Sequence, residues 1–385
     1  MGMNQVLTQG RMHSLINCPR AHFWAFEIGL TKDDYSIALF FGSAWHRGME
    51  ARWQGLPYED ALAYAIPEGI TELDKYACAT LAALLAGYYD YYGETERVGK
   101  LLPEIQFDEE IEGTSFRMHG KIDGLGKLKT GRNCLVESKT TGDGIEPDSD
   151  YWMRLRFNIQ VYHYYDAACK RGQQPDEVIY DVCRKPSIRP KEVTDLDEQG
   201  RKIVVDAQGK RVFAKMTIEE KVGKGKKAKV VKREIDNPDK PAQSASKDKG
   251  WEVKTHTETP DEYSDRLWRD TLARPSFYFA RKEVPILDGD FQQFINQRLA
   301  MCKLIEHFRS QERFTVEMEA LGNDRDQEAW PRNVSNNTCT FCKYKPFCLS
   351  NLIVDINNPP QGFTVKPFNP ELNYATAPTE ATAVQ

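Results

Sequence analysis

Asp123, Glu137 and Lys139 lie close together and are of types that hold cations and move protons. Residues 116–128 and 134–139 read as β-strands joined by a polar turn, Lys129-Thr130-Gly131-Arg132. Side chains alternate along a strand, so Glu137 and Lys139 point to one side, and Asp123 on the neighbouring strand can face them. Two carboxylates and an ammonium are costly in a core and useful as a metal site. Hydrolysis of a phosphodiester needs charge neutralised on the scissile phosphate and hydroxide produced near neutral pH. Mg2+ or Mn2+ does both and prefers oxygen ligands. Asp123 and Glu137 could supply two such oxygens and the backbone carbonyl of Ser138 another. Lys139 could orient or help deprotonate the attacking water, or stabilise charge in the transition state. Taken alone, the pattern also fits a solvent-facing salt bridge between Glu137 and Lys139.

Two helices could bring further groups to these strands. Residues 37–53 read as a helix on which His46 and Glu50, four apart, share a face. Gly42, Ser43 and Ala44 would let that helix approach a sheet closely. Residues 151–170 read as a second helix, with Gln160 and Tyr164 again four apart.

A second constellation is Cys339-x2-Cys342-x5-Cys348, with Cys18 available as a distant fourth thiolate. In a reducing compartment a tight cluster binds metal more readily than it forms disulfides. Four thiolates suit either zinc or a [4Fe–4S] cluster. Phe341, Tyr344 and Phe347 would shield such a centre from water. Cys78, Cys134, Cys169, Cys183 and Cys302 read as buried small hydrophobes.

The 385 residues are 40% hydrophobic and 28% charged, an ordinary soluble composition. No apolar run reaches the roughly 20 residues of a membrane span. The first 15 residues lack a secretory h-region, which points to the cytoplasm. The net charge of −5 hides an asymmetry: residues 184–256 carry 20 Lys+Arg against 12 Asp+Glu. Lys221, Lys224, Lys226, Lys227, Lys229, Lys232 and Arg233 form a run without an acid, compatible with binding a polyanion or with a solvated insertion.

Along the chain, helices are expected at 14–30, 37–53, 58–65, 71–92, 151–170, 260–280 and 290–309. Strands are expected at 105–112, 116–128, 134–139 and 178–183. Residues 202–206, 211–216 and 230–235 suggest hairpins within an inserted arm. Residues 357–385, rich in Pro, Asn, Thr and Ala, read as a disordered tail.

In this order the motifs resemble the RecB-like branch of the PD-(D/E)XK nuclease superfamily. The resemblance implies His46 as a metal ligand, Asp123 in the second motif, and Glu137 with Lys139 in the third. Gln160 and Tyr164 match the last motif, expected to position substrate phosphate and the lysine. Glu50 would support a ligand from behind or lie on the helix surface. The proline that names the superfamily is absent, since Ile122 precedes Asp123. The split cysteines resemble the iron–sulfur nucleases of this branch, namely AddB-type, CRISPR-associated and exonuclease V-like proteins, which implies a [4Fe–4S] cluster rather than zinc.

The resemblance spans residues 11–183 and 260–350. It implies an α/β, restriction-endonuclease-like fold, with a central mixed sheet flanked by helices and an iron–sulfur clamp joining N- and C-terminal parts. The chain then divides into a nuclease core (1–183), a basic β-rich insertion (184–256), C-terminal helices with the cysteines (257–350) and a tail (351–385). The implied activity is a Mg2+- or Mn2+-dependent DNA exonuclease acting on single strands or ends in replication, recombination or repair. A bacterial or phage-infected cell is the implied setting. The aromatic helix at 263–279 and the basic arm could add stacking and phosphate contacts. Every Gly-Lys is followed by Ile, Leu, Arg, Gly or Lys, so the sequence has no P-loop, and a helicase would be a separate partner. The other reading is a non-catalytic iron–sulfur DNA-binding scaffold, which would be free to lose one of His46, Asp123, Glu137 and Lys139. All four are present.

Overall fold

The computed structural model describes residues 5–32, 37–71, 73–93, 96–222, 229–320, 329–350, 354 and 357–366. It forms two compact units, residues 1–185 with 268–385, and residues 186–267. The larger unit begins with β1 (Val6–Leu7), α1 (Gln9–Asn17), α2 (Pro19–His22), a π-helical turn (Phe23–Ile28) and β2 (Leu30–Lys32). The helices α3 (Ile37–Trp53), α4 (Tyr58–Ala65) and α5 (Lys75–Tyr92) precede three consecutive strands. These are β3 (Val98–Glu110), β4 (Arg117–Leu128) and β5 (Asn133–Thr141). A crossover through α6 (Asp150–Arg156) and α7 (Ile159–Lys170) returns the chain to β6 (Glu177–Arg184), parallel to β5. A parallel neighbour requires such a crossover, because a tight turn can only reverse the chain.

The smaller unit contains β7 (Glu192–Thr194), β8 (Val204–Val205), β9 (Phe213–Val222), β10 (Lys229–Pro241), β11 (Glu252–Val253) and β12 (Thr255–Thr257). They pair as two-stranded antiparallel sheets, of which β9–β10 is the long hairpin. The expected strands at 202–206 and 211–216 shorten to Val204–Val205 and shift to Phe213–Val222. From α8 (Pro260–Ala273) the chain re-enters the larger unit through α9 (Pro275–Tyr278), β13 (Phe279–Val284) and α10 (Asp288–Ala320). It ends with α11 (Asn336–Cys339), α12 (Lys345–Leu349) and β14 (Phe363–Val365).

The central six-stranded sheet is mixed. Its order is β1-β4-β5-β6-β13, with β3 also paired to β4. Residues 134–138 of β5 and 177–183 of β6 are buried, as strands covered on both faces must be. Leu135, Val178, Tyr180 and Val182 pack with Trp152, Leu155 and Val161 of the crossover helices. On the other face Val136 and Ile179 pack with Leu101 and Trp53. Trp45 of α3 is fully buried, and its indole Nε1–H donates to Ser138 Oγ at 3.2 Å, fixing α3 against β5. No helix among the described residues is long and apolar enough to cross a membrane.

Other expected elements change as well. The helix at 14–30 breaks at Cys18, whose backbone is extended (φ −164°, ψ 110°) because the residue before a proline is driven out of the helical region. The helix at 151–170 divides at Asn158, whose side chain caps α7 by accepting from the Gln160 N–H at 2.9 Å. The helix at 260–280 yields its last residues to β13, which pairs antiparallel with β6. Within the expected disordered tail, Phe363–Val365 pairs with Leu30–Lys32, while residues 367–385 lie outside the described residues.

Candidate active site

The β4–β5 ladder ends at Gly124 opposite Val136. The next pair in that register would be Asp123 and Glu137. Further along, β4 is instead paired by β1, at Arg117 and Met118. The strands thus part where the two acids stand. The Ser138 N–H, which a continuing ladder would have used, donates to Asp123 Oδ2 at 2.9 Å.

His46 Nδ1 on α3 lies 3.5 Å from Asp123 Oδ2. A third carboxylate, which the sequence reading missed, completes the group: ligand atoms of His46, Glu104 and Asp123 all lie within 4.8 Å of one another. Glu104 belongs to β3, which begins at Val98 and not at residue 105 as expected. The β3–β4 register sets Pro103 against Gly124 and Ile105 against Ile122, which leaves Glu104 opposite Asp123. Its φ of +57° is the one positive value at a non-glycine among the described residues. Such a conformation costs roughly 1–3 kcal/mol and persists where the surroundings impose it. The available signal was Pro103-Glu104 directly before an alternating strand.

Lys139 Nζ contacts Glu137 Oε1 at 2.6 Å and donates to Gln160 Oε1 at 2.5 Å. The Gln160 amide in turn donates to Tyr164 OH at 3.0 Å. The last-motif pair therefore holds the lysine from α7. Glu50 lines the same cavity; its carboxylate accepts from Tyr64 OH at 3.4 Å and from Gln54 at 3.3 Å. The cavity measures about 620 Å3, and Gln106, His119, Lys121, Arg47 and Thr8, Gln9 and Gly10 at the start of α1 also line it. A Cβ on Gly120, in its wall, would lie 2.7 Å from the Phe107 ring, so glycine is required there.

Burial dominates the electrostatics. It pushes Asp123 up to about 7, with Lys139 opposing the rise and Glu104 adding to it. It also pushes Glu137 up to about 7, where Asp123 adds and Lys139 opposes. Burial works against the Lys139 ammonium, but Glu137 and Asp123 outweigh it and raise its pKa. His46 is lowered by burial despite Glu137 and Glu104. Glu137 is 0% exposed, and its Oε2 has no hydrogen-bond partner. Buried carboxylate oxygens and a neutral imidazole are a donor set suited to a hard divalent cation.

The four expected thiols converge elsewhere in the larger unit. Cys18, Cys339, Cys342 and Cys348 line one small cavity of about 20 Å3 with Trp24, Arg332 and Lys345. Cys18 enters from the extended link between α1 and α2, and its Sγ accepts from the Asn333 N–H at 3.5 Å. Burial raises Cys348 while Arg332 opposes the rise. Tyr344 and Phe347 are buried against Trp24, whereas Phe341 is 94% exposed and shields nothing. Of the remaining cysteines, Cys134, Cys183 and Cys302 are buried, while Cys78 and Cys169 are partly exposed.

The basic arm is only partly described. Lys224, Lys226 and Lys227, and the side chains of Lys221 and Lys229, lie outside the described residues. Lys232 and Arg233 are exposed on β10, and Lys232 lies 3.7 Å from Glu219 on the paired strand. The rings of the aromatic helix are largely engaged within the fold, and half-buried Phe277 lies under Arg184 and Arg274. Tyr263, Tyr278 and Phe279 are buried, and the Trp268 indole donates to Asp90 at 2.7 Å.

Among solved structures, the crystal structure of SSO0001 aligns with 70% of this chain and 76% of its own, at 10% identity and a TM-score of 0.22, too low to carry any argument. No curated protein matches the sequence. The profile of the PD-(D/E)XK nuclease superfamily matches residues 6–349, which include both the acidic group and the four cysteines. The chain, with its mixed sheet flanked by helices and its acids at the parting of β4 and β5, belongs to the PD-(D/E)XK nuclease superfamily.

Proposed function

We propose that this metal-dependent nuclease is a RecB-like deoxyribonuclease that degrades single-stranded DNA or DNA ends exonucleolytically, in replication, recombination or repair. The observation that carries the reading is the meeting of His46, Glu104 and Asp123 on one cleft, with the Glu137–Lys139 pair tied to it through the Ser138–Asp123 hydrogen bond and through Gln160 of the cleft lining. His46, Asp123, Glu137 and the Ser138 carbonyl hold Mg2+ or Mn2+, with Glu104 beside them. A divalent cation bound there neutralises the scissile phosphate and acidifies water. Lys139, kept charged by its two acids, orients the attacking water and meets developing charge. Gln160 and Tyr164 keep the ammonium in place. Translocation would fall to a separate helicase.

End-labelled single-stranded and duplex DNA, digested with Mg2+ or Mn2+, test this. Single strands should shorten progressively from one end, and Asp123→Ala should stop the reaction. Equal product from wild type and Asp123→Ala would leave the scaffold reading standing.

The four thiolates hold a [4Fe–4S] cluster that ties the α1–α2 link to the C-terminal segment, with Arg332 and Lys345 beside the cysteines and Trp24, Tyr344 and Phe347 packed around the segment. Protein purified without oxygen should contain iron and acid-labile sulfide. Cys342→Ala should lose both and unfold at lower temperature. Stoichiometric zinc without iron would reject the cluster.

The basic arm contacts substrate phosphates. Deleting residues 221–233 should weaken DNA binding and flatten its salt dependence, because each lost phosphate contact removes released counterions. Unchanged affinity across a salt series would make the arm a passive insertion.

A further inference from the structure

The face of α3 turned to the cavity carries Ser43, His46, Arg47 and Glu50, the spacing of one helical stripe. The charged groups lining the cavity are the carboxylates of Glu50, Glu104 and Asp123 and the basic side chains of Arg47 and Lys121, with His46 and His119. Most of these have partners. Lys121 is ion-paired to Glu104 and makes further contacts. Glu50 accepts from Tyr64 and Gln54, and Asp123 accepts from the Ser138 N–H beside His46. Lys139, next to the cavity, is held by Glu137 and Gln160. Arg47 differs, because among the described residues it makes no ion pair. Its Nη2 donates to the Ala65 carbonyl at the end of α4, at 2.7 Å, which anchors the guanidinium. Its Nε is buried and has no hydrogen-bond partner. A buried N–H left unmade on a cation is costly, and the guanidinium fork matches two oxygens of a phosphate.

We propose that Arg47 is a substrate-binding residue, whose guanidinium grips the DNA phosphate next to the scissile one and sets the register of the strand over the metal. The proposal rests on the nuclease reading and adds a phosphate subsite to it. Arg47 follows His46 directly in α3, and both line the cavity, so a phosphate on the guanidinium is a neighbour of the one at the cation. With three carboxylates against two basic side chains, the empty lining is net negative and repels a phosphate. A divalent cation on the acids reverses that sign. Lys121 and Lys139 would then still have carboxylates to give up, whereas Arg47 has none. Its anchor is a main-chain carbonyl, which uses one donor and leaves the others for the substrate.

The test replaces single phosphates by uncharged methylphosphonates along a single-stranded DNA. Binding is titrated at saturating Ca2+ for wild type, Arg47→Gln and Arg47→Lys, with circular dichroism to confirm folding. In the wild type, one substitution beside the cleavage site should weaken binding about tenfold. Arg47→Gln should bind unmodified DNA about tenfold more weakly and lose nothing more at that position, because the partner is already gone. Its Mn2+ affinity, measured without DNA by calorimetry, should not fall. Arg47→Lys keeps the charge without the fork and should recover only part of the affinity. Wild-type affinity in Arg47→Gln, or the same further loss at that position in variant and wild type, overturns the proposal and leaves Arg47 as an anchor for α4. Should Arg47→Gln fail to fold, Arg47→Lys carries the same comparison, with a smaller loss at that position than in the wild type expected and an equal one overturning the proposal. Failure of the nuclease reading shows separately, as equal cleavage by wild type and Asp123→Ala.

Discussion

Lys139→Ala is expected to lower kcat for phosphodiester cleavage by roughly 10^3-fold, comparable to removing a preorganised transition-state donor, while leaving divalent-cation binding intact or tighter. The lysine sits 2.6 Å from Glu137 and 2.5 Å from the Gln160 carbonyl oxygen, so its ammonium is fixed from two sides. An ammonium beside a cation site repels the cation. Deleting it therefore removes a penalty on metal binding together with a benefit to catalysis, and the two measurements should move apart. Lys139→Arg should not restore the rate, because a planar guanidinium cannot keep both the Glu137 contact and the point-like charge directed at the water. Calorimetry with Mn2+ and single-turnover cleavage decide the matter. An Ala variant with wild-type kcat would remove Lys139 from the chemistry.

The second large effect is on stability. Asp123→Asn should stabilise the metal-free protein at pH 8 by roughly several kcal/mol, and its advantage over the wild type should grow as pH rises from about 4 to about 7. Burial raises the folded-state pKa of Asp123 to about 7, and Glu137 likewise to about 7. Below about pH 4 an aspartate is protonated both folded and unfolded, so it contributes no pH dependence. Between about 4 and 7 the unfolded chain has released a proton that the folded chain still holds. Each pH unit in that window then costs about 1.4 kcal/mol per group. Above about 7 the folded site carries its charges, and the penalty is complete. A divalent cation takes the place of the protons, so added Mn2+ should raise the melting temperature most at high pH. Denaturant melts at pH 5 to 8, with and without Mn2+, read this directly. An advantage of Asp123→Asn over the metal-free wild type that does not grow with pH would contradict the buried, mutually repelling carboxylates.

The chemistry of the site was legible in one dimension because its parts come in short local patterns. Glu137 and Lys139 share a face by strand alternation, and Gln160 and Tyr164 share one by helical spacing. The structure joins both pairs through Lys139. The helix Ile37–Trp53 was recognisable end to end, since it has neither an internal proline nor a competing cap. The helices expected at 14–30 and 151–170 were overextended. Pre-proline Cys18 and the capping Asn158 each end a helix by local backbone chemistry, which overrides the apolar spacing that continues past them. The break at Cys18 is also what frees that cysteine to meet the other three.

The amino-acid order by itself determined the types and spacing of the acids, the lysine and the thiols, because alternation and helical period depend only on neighbouring residues. Only the tertiary structure decided which of them meet. Glu104 faces Asp123 because of a cross-strand register set by the packing of β3 on β4. Glu104 carries no local mark beyond the proline before it. Phe341 is exposed and Trp24 is packed beside the thiols because burial depends on what folds over a residue from elsewhere in the chain. The acids are pushed up to about 7 for the same reason: desolvation belongs to the assembled cleft.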